Sequence, residues 1–443
     1  MKICIVYELN NREFNNCILL QRELIRRGYK ADLKNKTEDV NLFSTYDLTI
    51  VPNSYNSSDI EYYRKVFNIK NNKIIIYPCE QVSANHKLPG LFDNTEKNVV
   101  KKIPHLCWGN DYYQWIKSLG YKMDNSFITG AIHLDFSRPE FKKIYRTKDE
   151  LAEKYGLPKE KKWVLFISDF VLSNNLRCEQ FIKAKSYTRE DLIKKRKFEN
   201  KCFKSIIEWF YKFLNTHKDY IIIYRKHPVE ILSKEIIKTA CNLEGQMYLI
   251  SDLNIKEWIF NCDKITTWNS TGVIESYAGS IKVGLLRPFA FEEKYGMKEY
   301  SFYEKYNSIK SYDQFVDCME NEIYEYSKET SEEINNLFSL LDKPAFMRVA
   351  DAIDMLIHRE LEMPWSTKSN NRIVFFIRHH ILVKRVLKKI YQLGFRMFGD
   401  SNTKKTKGLL MMEEWKQSVI YKRKTKELIP KLDSIIQSFI KTK

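Results

Sequence analysis

The chain has 443 residues and carries 74 Lys and Arg against 56 Asp and Glu, a formal net charge of +18 at pH 7. This length is enough for two or three domains, each with its own core. A hydrophobic content of 44% and a charged content of 29% exclude wholesale disorder, and 14 Gly and 11 Pro exclude collagen-like or linker-dominated chains. No apolar run approaches the ~18–20 residues of a membrane-spanning helix.

The first 130 residues alternate short apolar runs with amphipathic stretches, a pattern typical of a parallel sheet covered by helices. The amino terminus leads into a strand without the longer apolar core and cleavage site of a signal peptide, so we expect a cytoplasmic protein. The predicted strands are Lys2–Tyr7, Ala31–Leu33, Leu48–Val51, Lys73–Tyr77, His105–Trp108 and Phe127–Thr129. The predicted helices are Phe14–Arg27, Ser58–Phe67 and Asp111–Leu119.

A charged segment over residues 138–162 separates this series from a second one. The second series predicts strands at Trp163–Ser168, Tyr220–Arg225, Met247–Ile250, Lys264–Trp268 and Lys282–Leu286. Its helices are a long one over Thr188–His217, shorter ones that begin at Val229 and Thr271, and helical residues over 311–359. The series also includes an element at Ile255–Asn261 whose type the pattern leaves open. We therefore expect an α/β fold with a Rossmann-like domain over 1–137, a linker over 138–162, a second Rossmann-like domain over 163–364 and a tail over 365–443.

The tail is strongly basic, with 19 Lys and Arg against 5 Asp and Glu, whereas the first 364 residues are nearly neutral, with 55 against 51. Its first part reads as an amphipathic helix that can attach to an anionic membrane surface, on the inner face of the cell membrane. The alternative is a helix packed on the protein's own core. Nucleic acid is the least favoured partner, because aromatic and basic residues do not alternate here. The membrane-contact candidates are Arg378, Lys384, Arg385, Lys388 and Lys389.

The predicted strand Tyr220–Arg225 delivers basic residues at its carboxyl end. Arg225, Lys226 and His227 follow in sequence, and Pro228 comes next. Carboxyl ends of strands are where open α/β sheets bind ligands, and three side chains there that can carry positive charge suit a phosphate group. His227 can donate to a phosphoryl oxygen as a leaving group departs. A polar strand end with a proline that starts a helix is the alternative interpretation.

The strand that precedes Trp268 also ends in small polar residues that lead into a helix. Ser270 and Thr271 can cap that helix, whose free N–H groups favour an anion. Glu275 lies one turn further, where a carboxylate can accept hydrogen bonds from ribose hydroxyls. A plain helix start with a glutamate in its first turn is the alternative.

Taken together, these two segments resemble the GT-B glycosyltransferase superfamily. The resemblance is greatest to surface-polysaccharide proteins related to CMP-sugar transferases (Kdo, sialic acid and polysialic acid types) and to the CDP-polyol phosphotransferases of teichoic-acid-like polymers. These families share a His-Pro motif and a later Ser/Thr-rich motif that hold the nucleotide phosphate and ribose. The matching positions here are His227-Pro228 and Ser270-Thr271, with Glu275 behind them.

The segment Phe127–Asp135 is similar to one that ends the first domain in surface-carbohydrate proteins, although Ala131-Ile132-His133 stands where that pattern has Asn-Pro-Arg. The resemblance covers roughly residues 1–350. It implies two Rossmann-type domains facing a cleft, a nucleotide-sugar donor (CMP-sugar favoured) and a glycan or lipid-linked acceptor. No cofactor is implied.

Two further carboxylates are candidates for acid–base catalysis. Glu80 follows an apolar strand of the first domain and is a candidate general base for the acceptor hydroxyl, or a loop carboxylate. Asp169 ends the first strand of the second domain and can assist acceptor or donor, or cap a helix. A metal site is not expected, since there is no D-x-D, no pair of histidines at ligand spacing and no C-x-x-C among the nine cysteines.

Three other functions stay open at this point. A CDP-polyol phosphotransferase shares the motifs and moves the phosphoryl group itself. A UDP-sugar 2-epimerase shares the fold and needs no acceptor. A non-catalytic assembly scaffold is also compatible with the altered Ala131-Ile132-His133 segment.

Overall fold

The computed structural model describes most of the chain, with gaps. The described residues are 1–8, 13–36, 45–54, 56–67, 73–79, 81, 99–173, 179, 188–227, 230–252, 254–291, 301–304, 306–322, 326–359, 361, 383 and 425–440. The chain divides into two compact units. The first comprises residues 1–135 and 335–443, and the second comprises residues 136–334.

The first unit is built on a parallel sheet. Its four central strands are arranged in the order β2-β1-β3-β4, and an isolated bridge between Ile76 and His105 leads from β4 to a parallel pair, β5 and β6. The strands are β1 (Lys2–Tyr7), β2 (Lys30–Asn35), β3 (Leu48–Val51), β4 (Lys73–Ile76), β5 (Leu106–Cys107) and β6 (Phe127–Ile128). The helices before residue 136 are α1 (Phe14–Arg26), α2 (Ser57–Val66), α3 (Asn110–Ser118) and α4 (Ile132–Asp135), with a 3-10 helix at Val99–Lys102.

The second unit contains a six-stranded parallel sheet in the order β12-β11-β10-β7-β8-β9. Its strands are β7 (Lys162–Ile167), β8 (Tyr220–Arg225), β9 (Met247–Leu249), β10 (Lys264–Thr267), β11 (Gly284–Leu286) and β12 (Ser308–Ile309). Its helices are α5 (Lys148–Tyr155), α6 (Arg189–Thr216), α7 (Lys234–Asn242), α8 (Ile255–Ile259), α9 (Gly272–Ala278), α10 (Ser301–Glu304), α11 (Tyr312–Glu320) and α12 (Lys328–Phe338), with a 3-10 helix at Pro139–Ile144. The last of these helices extends past the boundary into the first unit. The expected α/β class with two Rossmann-type parallel sheets is confirmed.

The 28-residue helix α6 supplies much of the core of the second unit. Thr188 caps it by accepting a hydrogen bond from the Asp191 backbone N–H at 3.1 Å. Its apolar side chains recur every three or four residues, so that one face is buried against the sheet. Phe166 of β7 lies edge-on to Phe210 of this helix, with ring centroids 5.1 Å apart.

Two segments lie elsewhere than the sequence predicted. Residues 138–162, expected as a linker, belong to the second unit, where Arg146 pairs with Glu257 at 2.8 Å and Tyr145 stacks on Phe260. The helix expected from Val229 begins instead at Lys234, because Ser233 caps it by accepting from the Ile236 N–H at 3.3 Å.

The carboxyl-terminal part of the chain returns to the first unit, although the sequence assigned residues up to 364 to the second domain. Helix α13 (Ala345–Ile357) is anchored by Asp135 of α4. The buried Asp135 carboxylate accepts from the backbone N–H groups of Ala345 at 2.9 Å and Phe346 at 2.8 Å. A carboxylate at a helix amino terminus satisfies free N–H donors and interacts favourably with the helix dipole. Gly130 leaves room for Arg348 of α13 to approach the first domain's backbone, since a Cβ at position 130 would lie 2.3 Å from an Arg348 side-chain nitrogen.

The last part of the tail also packs on the first unit. Residues 425–440 form a helix whose Asp433 makes a two-pronged ion pair with Arg22 of α1, at 2.7 and 2.8 Å. Leu432, Ile435 and Ile436 of this helix are buried. The end of the tail is therefore a helix packed on the core of the first unit. Residues 372–391, to which the two interpretations apply, lie outside the described residues except for Val383. None of the helices within the described residues is long and apolar enough to span a membrane.

Ile435→Ala tests this docking. The substitution should lower the free energy of unfolding by about 2–5 kcal/mol, because it leaves a cavity at a fully buried site. Urea unfolding followed by circular dichroism measures it, with the exposed Gln437→Ala on the same helix as control. Equal stability of the two variants would show that the helix does not dock.

Candidate active site at the strand ends of the second unit

The order of the second sheet creates a topological switch point. From β7 the chain proceeds to β8 and β9 on one side, whereas β10, β11 and β12 extend the other side. Ile167 is in register with Thr267 on one neighbouring strand and with Arg225 on the other, so the three carboxyl ends lie at one sheet edge. Open α/β sheets bind ligands at such a point. We call the residues that follow these strands the strand-end site: Ser168, Asp169, Arg225, Lys226, His227, Glu230, Asn269, Ser270, Thr271 and, after β11, Arg287.

The predicted basic residues after β8 lie at this edge, and two of them contact neighbouring main chain. An Arg225 guanidinium nitrogen donates to the Asp252 carbonyl at 2.6 Å, and the Lys226 ammonium donates to the Glu230 carbonyl at 3.1 Å. His227 is half-buried. Two cationic side chains and a histidine are thus gathered at one strand end.

Glu230 joins this strand end to its neighbour, a role that the sequence analysis missed. Its carboxylate accepts from the Tyr224 hydroxyl at 2.6 Å and from the His227 backbone N–H at 3.0 Å. The Tyr224 hydroxyl in turn lies 2.7 Å from the Ser168 hydroxyl at the end of β7. The spacing of three residues between His227 and Glu230 is a signal that could have revealed it, since it is the spacing of a capping box.

Asp169 lies beside a second polar chain. Its carboxylate accepts a side-chain hydrogen bond from Asn269, and the Asn269 carbonyl oxygen accepts from the Arg287 guanidinium at 3.2 Å. The buried Arg287 is held between rings, 4.5 Å from the centroid of Phe291 and 5.1 Å from that of Tyr303. Guanidinium groups are suited to such stacked, partly desolvated positions. No sequence motif pointed to Arg287.

Three carboxyl groups share this interior. Burial, followed by the nearby Glu230 charge, raises the pKa of Asp169 to about 7. Burial also raises the pKa of Glu199 well above its ordinary value, and Asp169 adds to that effect. The pKa of Glu230 is raised for the same reason, although hydrogen bonds from Tyr224 and Ser168 oppose the shift. A carboxyl group with a pKa near 7 in a ligand-binding region is suited to proton transfer.

The predicted Ser-Thr turn behaves only partly as expected. The Ser270 hydroxyl accepts from the Gly272 N–H at 3.2 Å, and the Tyr303 hydroxyl donates to the Ser270 carbonyl at 2.5 Å. Thr271 is exposed and makes no side-chain cap bond, because its backbone is already helical, with φ −60° and ψ −10°. The expectation that the Thr271 side chain caps the helix is therefore wrong, and the turn is closed by the hydroxyls of Ser270 and Thr267, which accept from the Gly272 and Ser270 N–H groups.

Glu275 of α9 has an unexpected partner. The buried Lys256 of α8 places its ammonium 3.8 Å from a Glu275 carboxylate oxygen. Burial lowers the pKa of Lys256, and the charge of Glu275 opposes that shift. The Lys256 ammonium thus holds the Glu275 carboxylate from the buried side.

Several predicted residues lie outside the described residues. These are Glu80, Pro228, and the membrane candidates Arg378, Lys384, Arg385, Lys388 and Lys389. Within the described ranges, no group of three or more His, Cys, Asp or Glu side chains is arranged to hold a metal ion.

No protein-family model and no curated protein matches this chain. Among solved structures, it is similar to the putative UDP-N-acetylglucosamine 2-epimerase of Listeria monocytogenes, with 11% identity over 81% of this chain and 96% of that one and a TM-score of 0.48. It is also similar to the UDP-GlcNAc 2-epimerase of Neisseria meningitidis bound to UDP-GlcNAc, with 10% identity over 80% of this chain and 100% of that one and a TM-score of 0.47. A third similar structure is the wall teichoic acid polymerase TagF soaked with CDPG, with 14% identity over 82% of this chain and 90% of that one and a TM-score of 0.49. The α/β class rests on this chain's own sheets, and these likenesses carry no conclusion about its activity.

Asp169→Asn tests the carboxyl group at the switch point. Because folding raises this pKa, the wild type loses stability as pH rises from about 4, the ordinary range of aspartate, to about 7. The variant lacks that loss, so its melting temperature relative to wild type should rise across this interval and stay constant above it. Thermal unfolding between pH 4 and pH 8 measures the difference, with the exposed Asp149→Asn as control. A pH-independent difference would contradict the raised pKa.

Proposed function

We propose that this protein is a glycosyltransferase of GT-B type that moves a sugar from a nucleotide-activated donor to a glycan or lipid-linked acceptor of surface polysaccharide synthesis. The observation that carries the proposal is the convergence of polar strand ends from β10, β7 and β8 at the switch point of one parallel sheet. A CMP-sugar is the favoured donor, on the resemblance of the His-Pro and Ser-Thr motifs.

Each residue has a defined role in this reaction. Lys226, Arg225 and His227 neutralise the donor phosphate, and Ser270 lies at the turn where the phosphate meets the helix start. Glu275 accepts from ribose hydroxyls. The acceptor hydroxyl attacks the anomeric carbon as the bond from that carbon to the phosphate oxygen breaks. His227 donates to the departing phosphate, and Asp169, with its pKa of about 7, takes the acceptor proton.

The proposal also includes a role for Glu80 and a reaction that needs no metal ion. Glu80 is a second candidate base for the acceptor hydroxyl. Phosphate charge is balanced by cationic side chains and backbone N–H groups, an arrangement in which positioning and electrostatics supply most of the catalysis.

Nucleotide binding to His227→Ala is the first test. Wild type should show a rise in melting temperature with one of CMP, CDP, UDP or GDP, because a ligand of the native state stabilises it by RT ln(1 + [L]/Kd). His227→Ala should weaken that affinity by on the order of 10-fold or more, as expected for a lost charge-assisted bond. The matched control is the exposed His358→Ala in the first unit.

The nucleotide that binds also separates the alternatives. CMP supports the acidic-sugar transferase, CDP indicates transfer of a polyol phosphate, and UDP indicates a hexose transferase or a 2-epimerase. A response to none of them, in thermal shift and calorimetry alike, would contradict a nucleotide-dependent enzyme and favour the assembly scaffold.

We also propose that the enzyme is cytoplasmic and that its basic tail attaches it to the anionic inner face of the cell membrane. Replacing Arg378, Lys384, Arg385, Lys388 and Lys389 by Gln in the full chain should weaken binding to phosphatidylserine vesicles, by about 1 kcal/mol per basic residue near the surface. The full chain is needed, because truncation also removes the docked helix 425–440. Co-sedimentation with phosphatidylserine and with neutral phosphatidylcholine vesicles measures the effect. Unchanged binding would contradict the attachment.

A further inference from the structure

We infer that Glu230 is the positioning residue for His227 in the strand-end site. The inference rests on the proposed function, in which His227 contacts the donor phosphate, and adds a residue that acts through it. Glu230 is 4% exposed, so its carboxylate is placed to act on the protein and not directly on a ligand.

The first line of support is a pair of reciprocal bonds between the two residues. One Glu230 carboxylate oxygen, Oε2, accepts from the His227 backbone N–H at 3.0 Å. The Glu230 backbone N–H donates to the His227 carbonyl at 2.9 Å. These two bonds join the backbone of His227 to Glu230 and restrict the backbone from which the His227 side chain projects.

The second line of support is the fixed position of the carboxylate itself. Its other oxygen, Oε1, accepts from the hydroxyl of Tyr224, a buried residue of β8. That hydroxyl lies 2.7 Å from the hydroxyl of Ser168, which follows β7. The Lys226 ammonium adds a bond to the Glu230 carbonyl at 3.1 Å. Through these contacts Glu230 holds the His227 backbone in a fixed position relative to β7 and β8, two central strands of the sheet.

The chemistry of the contacts requires a carboxylate. Both oxygens of Glu230 accept from donors that are fixed in place, the Tyr224 hydroxyl and the His227 N–H. A glutamine has the same shape but only one accepting oxygen, so it satisfies one of the two donors and leaves an amide against the other. Glu230→Gln is therefore a small change that should release His227 without opening a cavity.

A double-mutant cycle with calorimetry of the responding nucleotide measures the coupling. Glu230→Gln should weaken affinity about 10-fold in the wild-type background and less than about 2-fold in the His227→Ala background, because its effect passes through His227. The matched control is Glu199→Gln, a second buried carboxylate of this unit, which accepts from the Leu172 N–H at 2.8 Å and makes no described contact with His227. Its effect should be the same in both backgrounds.

A second measurement needs no nucleotide. Hydrogen exchange of the peptide that contains residues 224–230 should speed up at the His227 and Glu230 amides in Glu230→Gln and stay at the wild-type rate in Glu199→Gln. If Glu230→Gln does not fold, Tyr224→Phe is the second variant. It removes the Oε1 bond together with the Ser168 contact, keeps the bond from the His227 N–H to Oε2, and should show both effects in weaker form.

The outcomes separate this inference from the proposed function. Wild-type nucleotide binding with an equal Glu230→Gln penalty in both backgrounds would overturn the positioning role and leave the nucleotide site standing. No nucleotide binding together with faster exchange in Glu230→Gln would support the positioning of His227 and contradict the transferase. Unchanged exchange in both Glu230→Gln and Tyr224→Phe would overturn the inference outright.

Discussion

The strand order of the second sheet is the constraint on which the strand-end site depends. Because β10 and not β9 pairs with β7, the chain reverses its direction of growth across the sheet at that point. Loops that leave adjacent strands at such a reversal go to opposite sides, which opens space above the strand ends. The residues after Thr267, Ile167 and Arg225 meet there, although they are separated by up to 100 positions along the chain. With another strand order these side chains would still lie at the carboxyl edge of the parallel sheet, but they would not follow three adjacent strands.

The interior beneath that edge is unusually polar. Asp169, Glu199 and Glu230 place three carboxyl groups close to one another, and the charge of the buried Arg287 guanidinium acts on Asp169. Buried charges destabilise a fold unless partners and hydrogen bonds compensate, and an apolar core is the more stable alternative. Folds tolerate such departures mainly at functional sites. The cluster contains the two carboxyl groups to which the proposals assign proton transfer, Asp169, and the positioning of His227, Glu230.

The first unit shows how one carboxylate can determine domain composition. Asp135 belongs to the segment that resembled the end of the first domain in surface-carbohydrate proteins. Its side chain binds the first N–H groups of α13, more than 200 residues later. Arg27 of α1 adds ion pairs to Asp351 and Asp354 of the same helix, at 2.9 and 2.5 Å. The carboxyl-terminal helices therefore complete the first unit, which explains why a sequence division at 364 separated segments that fold together.

Local pattern by itself determined most of the strands, the longest helix and the strand-end positions of His227, Asp169 and Ser270, because apolar periodicity and polar interruptions depend on neighbouring residues only. Tertiary structure alone decided which strands are adjacent, that Tyr224 and Ser168 hold Glu230, and that Arg287 reaches Asp169 through Asn269. It also assigned α13 and the helix 425–440 to the first unit and placed Lys256 against Glu275. These contacts join residues far apart in the chain, and no periodicity in a single sequence records which distant donor meets which acceptor.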